Sequence, residues 1–134
     1  MSEETTRPTT VAVGLVDGST KTGTLAAFDP RALHLQVETA TRGPGGRLDK
    51  VGVQIPIKST SYVAFYRQPT SPTPPADQPL TEARVYTPAG NSFSVIATTE
   101  SLDDPLGFDG FPVSRASLYA RVWFFRDRIT AIED

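Results

Sequence analysis

The chain has 134 residues, a formal net charge of −2 and no cysteine. This charge gives no overall attraction for nucleic acid or for an anionic membrane, because both need concentrated positive charge. The lack of cysteine excludes disulfides, thiolate metal sites and cysteine nucleophiles. The opening MSEETTRPTT has no apolar run, and no later stretch approaches the ~20 apolar residues of a membrane-spanning helix. We therefore expect a cytoplasmic protein without membrane association, in which residues 1–8 form a disordered arm.

The stretch covering residues 11–37 predicts three strands in a bent meander. An alternating apolar run is followed by Asp17 and Gly18, a pair that tolerates positive φ and favours a hairpin. The second strand contains Gly23, and the third follows a turn at Asp29. Because a glycine inside a strand lets a sheet bend sharply, we expect Gly23 at a bend where a barrel begins to close.

The sequence LVDGSTKTGTLAAFDPRALHL within this stretch resembles the first signature of the Sm-like small β-barrels. The shared pattern is an apolar strand, Asp-Gly, a glycine, an apolar residue two positions on, then Phe-Asp and a returning apolar strand. The resemblance covers roughly the first half of the chain. It implies a five-stranded small barrel over residues 9–67.

The resemblance also implies where RNA would bind, because Sm-like RNA-binding proteins usually carry an asparagine just after the turn that follows the aspartate. Here residues 30–33 read PRAL, and Lys58 with its neighbours replaces the Arg-Gly or Lys-His pair of the second signature. We therefore expect weak or no RNA binding. An Sm-like RNA-binding protein is the alternative function, with contacts from Arg31, His34, Lys58 and Tyr62.

Two more strands complete the predicted first barrel, at residues 51–57 and 62–66. Before them, the glycine-rich residues 43–46 predict a flexible hairpin loop between Glu38 and Val51. Phosphate binding by such a loop would need a following helix or a Gly-Lys-Ser/Thr ending, and the sequence has neither. We interpret this segment as a plain loop.

Residues 68–79, QPTSPTPPADQP, have the composition of a proline-rich linker. Proline favours an extended polyproline-like chain and cannot enter the interior of a sheet. A second interpretation is that Pro72 to Pro75 is a ligand for the groove of an SH3 or WW domain. A spacer between two modules accounts for the same composition.

Residues 80–134 predict a second, degenerate small β module. The sequence ARVWFFRDRITAIE resembles GVQIPIKSTSYVAF when shifted by about 70 residues, which indicates an internal repeat. The intervening SLDDPLGFDGFPVSRASLYA departs from the repeat and weakly resembles modules of unassigned role found alongside bacterial pilus and secretion ATPases. The predicted fold class is therefore all-β, with two tandem Sm-like or SH3-like barrels joined by the linker.

The residues that could carry catalysis are few. His34 is the only histidine and faces outward on its predicted strand, so no Ser-His-Asp triad is indicated. Asp103, Asp104 and Asp109 fall in one predicted loop, but their spacing fits no calcium loop. We expect no enzymatic activity, no metal, no cofactor and no small-molecule substrate.

Aromatic and arginine residues, which are enriched at protein interfaces, crowd the last third of the chain. The candidate partner-binding residues are Phe108, Phe111, Arg115, Tyr119 and Trp123. Two interpretations stay open, an aromatic core of the second module and an interface with the first module or a partner. Because a small module encloses little of its own surface, we expect the second module to depend on such a contact.

The combined patterns favour a non-catalytic protein–protein interaction or adaptor module of a bacterial cytoplasmic assembly. Its expected partner is another protein or a second copy of itself.

Overall fold

The structure, a computed structural model, describes residues 9–25, 28–42, 44–46, 48–67, 77–88, 90–114, 117–129 and 131–133. Throughout these residues the chain is all-β and contains no α-helix. None of the short helical turns among them is long and apolar enough to cross a membrane. The strands are β1 (Thr9–Leu15), β2 (Thr20–Leu25), β3 (His34–Arg42), β4 (Leu48–Pro56), β5 (Thr60–Tyr66), β6 (Leu80–Tyr86), β7 (Ser92–Thr98), β8 (Gly107–Pro112), β9 (Tyr119–Phe125) and β10 (Ala131–Glu133).

These strands form one antiparallel sheet in the order β10-β6-β7-β8-β9-β5-β1-β2-β3-β4. The sheet does not close on itself, and β10 and β4 are its two ends. Within the order, β1 to β5 are arranged as β5-β1-β2-β3-β4, and β6 to β10 repeat this arrangement. In both halves a short 3-10 turn separates the fourth and fifth strands, at Ile57–Ser59 and at Arg126–Arg128.

The first hairpin of each half has the same hydrogen-bonded turn. In the first half, the N–H of Gly18 donates to the carbonyl of Leu15 over 3.0 Å, at a φ of 93°. In the second half, the N–H of Gly90 donates to the carbonyl of Thr87 over 2.9 Å, at a φ of 91°. A positive φ suits glycine, which explains Gly18 and Gly90 at these turns.

The two halves are joined through β5 and β9, which pair along their length. In this register Tyr62 lies opposite Phe124, and Ala64 lies opposite Val122. The residues that were predicted to form separate modules therefore continue into one sheet. Residues 1–8 and most of the predicted linker, residues 68–76, lie outside the described residues.

Buried apolar residues form two clusters. The first cluster comprises Val11, Val13, Leu25, Leu35, Val37, Ile55, Ile57, Val63, Phe65 and Phe125. The second cluster comprises Ala12, Tyr62, Ala64, Val85, Val95, Ala97, Phe108, Val122 and Phe124.

The central strands β1, β5 and β9 contribute to both clusters. Successive side chains of a strand point to opposite faces of its sheet. Val63 accordingly belongs to the first cluster and Ala64 to the second, while Phe124 belongs to the second and Phe125 to the first. The sheet is therefore covered on both faces where the halves meet, which explains the continuous burial from Thr60 to Phe65.

Gly23 allows β2 and β3 to approach closely. A Cβ atom at this position would lie 2.5 Å from both the carbonyl oxygen of Glu38 and a methyl group of Val37. Any side chain would force the two strands apart. Gly14 leaves room for an aromatic side chain, because the ring of Tyr62 lies directly over it.

The hairpin between β3 and β4 is longer than the sequence predicted. The two strands pair from His34 opposite Pro56 to Arg42 opposite Leu48. Strand pairing therefore extends into the segment that we expected to be a flexible loop, as far as Arg42 and Leu48, and a short turn at Pro44–Gly46 lies between them. The β-branched residues on both strands favour this extended pairing.

Candidate functional site

A groove of about 450 Å³ lies where loops of the two halves meet. It is lined by the connection between β2 and β3 and by the 3-10 turn before β5. The corresponding elements of the second half, before β8 and before β10, line its other side. The lining residues are Pro30, Arg31, Ala32, Leu33, Ile57, Lys58, Pro105, Leu106, Phe125, Asp127 and Arg128.

An Asp-Pro pair shapes the loop on each side of the groove. The carboxylate of Asp29 accepts a hydrogen bond from the N–H of Arg31 over 3.0 Å. The carboxylate of Asp104 accepts one from the N–H of Leu106 over 2.9 Å. Aspartate side chains commonly bond the backbone two residues on, and this bond fixes the turn. The two loops therefore present equivalent residues to the groove.

Each loop is also tied to the 3-10 turn of its own half. The N–H of Ile57 donates to the carbonyl of Leu33 over 2.9 Å, and the N–H of Arg126 donates to the carbonyl of Leu106 over 3.2 Å. The guanidinium of Arg128 then crosses between the halves and donates to the carbonyl of Ile57 over 2.8 Å. These bonds hold both walls of the groove on the rigid sheet.

The floor of the groove is apolar and its rim is cationic. Leu33 is 82% exposed, although it is a large apolar side chain. Arg31 and Lys58 are exposed beside it. The guanidinium of Arg128 lies 5.1 Å from the ring centroid of Phe125, which is buried beneath it. Such a combination suits a ligand with apolar groups and negative charge.

One carboxylate partly offsets these cations. Asp127 lies 3.6 Å from Nε of Arg128, and its side chain is 74% exposed. An ion pair with so exposed a partner contributes little, because water screens it. The groove therefore keeps an excess of positive charge within a chain of net negative charge.

The structure brings together two of the four residues predicted for the RNA-binding alternative. Arg31 and Lys58 both line the groove. His34 is exposed at the start of β3, as the sequence predicted, but it does not line the groove. Tyr62 is only 7% exposed, and its ring packs edge-on against Phe93 with centroids 4.9 Å apart. Its ring is therefore not free to stack on a base.

The aromatic candidates of the second half mostly pack inside the protein. Phe108 is 1% exposed and belongs to the second cluster, so it is a core residue and not a surface contact. Trp123 packs against the first cluster, with its ring centroid 5.9 Å from that of Phe28. Phe111 is half-buried on β8, where it pairs with Ile96.

Tyr119 is half-buried, with its ring edge-on to Tyr66 at a centroid distance of 5.1 Å. Burial is the main cause that raises the pKa of Tyr119. The fifth candidate, Arg115, lies outside the described residues. The aromatic residues were expected either to form the core of the second module or to contact the first module or a partner. Trp123 contacts the first half.

Asp109 is not in a loop with Asp103 and Asp104, as the sequence suggested, because it lies within β8. Its carboxylate accepts a hydrogen bond from Arg121 over 2.8 Å, and the guanidinium of Arg121 stacks 4.0 Å from the ring centroid of Phe65. Burial raises the pKa of Asp109 although Arg121 acts in the opposite direction. Among the described residues no group of three or more His, Asp or Glu side chains could hold a metal ion.

The sequence interpretation missed Leu33, Pro105 and Arg128 as parts of one site. The available signal was the Asp-Pro pair that occurs in both halves, at Asp29 and at Asp104. Without the sheet order, nothing indicated that these two loops face each other.

Comparison of the chain with protein-family models, with curated proteins and with solved structures finds no match.

Proposed function

We propose that this protein is a non-catalytic protein-binding module that holds a segment of its partner in the groove between the two halves. The observation that carries the proposal is the groove itself, with an apolar floor, an exposed leucine and three cations on its rim. Large exposed apolar side chains in a concave site favour ligand binding. The excess positive charge favours a partner segment with acidic side chains.

The architecture proposed with this function is a tandem pair of related five-stranded units of the Sm-like type. The shared strand order, the matching glycine turns and the paired Asp-Pro loops support this interpretation. In such a pair, equivalent loops of the two units meet at one groove. A groove of this kind requires both units, so its ligand would bind only the complete chain.

RNA binding is the second candidate function, and one observation favours it. Arg31 and Lys58, chosen from the sequence for this role, lie together at the groove with Arg128. Recognition of single-stranded RNA normally adds aromatic rings on which bases stack. Among the described residues that line the groove, Phe125 is the one aromatic residue, and it is 1% exposed, so a protein segment remains the better ligand.

Photo-crosslinking tests the proposal. The amino acid p-benzoyl-phenylalanine is placed at Leu33, in the groove, and at Leu118 as the matched control, since Leu118 is also exposed at 69% and lies outside the groove lining. The protein is irradiated in an extract of its source cells, and adducts are identified by mass spectrometry. We expect a protein adduct from position 33 alone. Lys58→Glu should reduce its yield at least fivefold, because it reverses one rim charge.

The competing outcomes are distinct. A nuclease-sensitive adduct from position 33 that weakens steeply with salt would support RNA binding instead. Equal adducts from both positions would show nonspecific contact and contradict the groove as the binding site.

A further inference from the structure

The outer edge of β4 is an unpaired strand edge, because among the described strands β4 pairs only with β3. Three apolar side chains on one face of β4 become more exposed from the end of the strand towards its middle. Ile55 is 3% exposed, Val53 is half-buried and Val51 is 43% exposed. Unpaired N–H and C=O groups beside such a row form a template for an additional strand.

The second half shows how an equivalent edge is covered. There β9 is the fourth strand, as β4 is in the first half, and β5 pairs along it. Because a 3-10 turn directly follows each of these strands, Phe124 of β9 corresponds to Ile55 of β4. Tyr62 of β5 lies opposite Phe124 and packs edge-on against Phe93 of the neighbouring hairpin.

The first half has a cavity at the corresponding place. It measures about 410 Å³ and is lined on one side by Leu15 and Lys21 of the first hairpin, and on the other by Val53 and Ile55 of β4. The shared turn geometry makes Lys21 the counterpart of Phe93. Among the described residues, the place that the Tyr62 ring takes in the second half is therefore open in the first.

We infer that the edge of β4 binds an extended segment of a partner protein, which pairs antiparallel to β4 and inserts an aromatic side chain into this cavity. The aromatic residue lies opposite Ile55, as Tyr62 lies opposite Phe124. A small residue two positions further on lies opposite Val53, as Ala64 lies opposite Val122. The ring contacts the apolar stem of Lys21, whose ammonium group adds a cation–π contact.

A second copy of this chain fits the edge less well. Its free strands would be β4 and β10. β4 has no aromatic residue that could fill the cavity. In β10, Ile132 pairs with Val85 as Val63 pairs with Val13. This equivalence would bring Ala131 to the place of Tyr62 and the carboxylate of Glu133 to the apolar row. An alanine leaves the cavity unfilled, so a partner segment with an aromatic residue is the better occupant.

The test uses the full chain and a peptide with the sequence of β5, TSYVAFY, extended by three lysines and a fluorescent label. Binding is measured by fluorescence anisotropy, and the control peptide has serine in place of the first tyrosine, which corresponds to Tyr62. We expect the control to bind at least tenfold more weakly. Lys21→Phe should tighten binding of the tyrosine peptide severalfold, because it recreates the aromatic pair, whereas Leu118→Ala, outside the lining of both sites, should leave it unchanged.

NMR spectra of the complex locate the site independently of any variant. We expect amide shifts at residues 51–55 and at Leu15, with none at Leu33. Equal affinity for the two peptides, or shifts confined to the groove, would overturn the inference. Concentration-dependent dimers in light scattering that exclude the peptide would also overturn it, because the edge would then belong to a second copy. If the peptide does not bind at β4, the proposed function of the groove is unaffected, since the two sites have different lining residues.

Discussion

Asp109 is linked to both halves of the sheet through a single arginine. Its carboxylate bonds Arg121 of β9, and Arg121 in turn covers Phe65 of β5. Burial raises the pKa of Asp109, so the folded protein holds a proton on this group more tightly than the unfolded chain does. The contribution of Asp109 to stability is therefore present at low pH. It is lost as the pH rises from the unfolded value through the raised folded value.

Asp109→Asn should remove this pH dependence. The difference in free energy of unfolding, wild type minus variant, should fall as the pH rises from about 3.5 to 7. Urea denaturation across that range measures it. Arg121→Gln is the control, because loss of the cation should raise the pKa further and extend the decline to higher pH. A difference that increases with pH would contradict the assigned direction.

At the scale of the element, β9 is the strand on which both cores depend. Its residues on one face belong to the second cluster, while Trp123 and Phe125 face the first. One face of β9 is buried and the other is at least half-buried, so neither face is fully exposed to solvent. Each substitution on β9 should therefore affect the stability of the whole sheet.

Trp123→Ala should lower the free energy of unfolding by about 3 kcal/mol, because it removes a large aromatic side chain from the first cluster. For a chain of this size that loss corresponds to a fall in Tm of roughly 10 °C. Circular dichroism on heating measures both. Leu118→Ala is the matched control, since Leu118 is 69% exposed and should change stability by less than about 0.5 kcal/mol. Equal effects of the two variants would show that Trp123 is not part of a core.

At the scale of the whole molecule, the pairing of β5 with β9 joins the two halves into one continuous sheet. Backbone hydrogen bonds and buried side chains on both faces cross this junction. The covalent connection through residues 68–79 is then not needed to hold the halves together.

A protease site inserted within residues 70–74 tests this expectation. After cleavage the two fragments should co-elute in size-exclusion chromatography and melt in one transition, because β5 and β9 remain paired. Residues 80–134 expressed alone should be aggregated, since the face of β9 that bears Trp123 would be uncovered. Recovery of that fragment as a cooperatively folding monomer would contradict the shared core.

The sequence alone determined the all-β class, most strand positions and the glycine turns. These features are local, since alternation of apolar residues and positive φ at Gly18 act within a few residues. The hairpin at Asp17 and Gly18 was predicted in this way, and Gly18 has a φ of 93° between β1 and β2.

The tertiary structure decided which strands are neighbours, and therefore where the candidate sites lie. Trp123 and Phe124 face opposite sides because they are adjacent in a strand, but the sequence could not show that β5 would pair with β9 and cover both. The groove and the open edge of β4 likewise depend on contacts between residues far apart in the chain. The alternation of apolar and polar residues predicts which side chains face the core, whereas the order of the strands decides which residues they contact. The sequence does not fix this order, because pairing energies are nearly the same for many apolar partners.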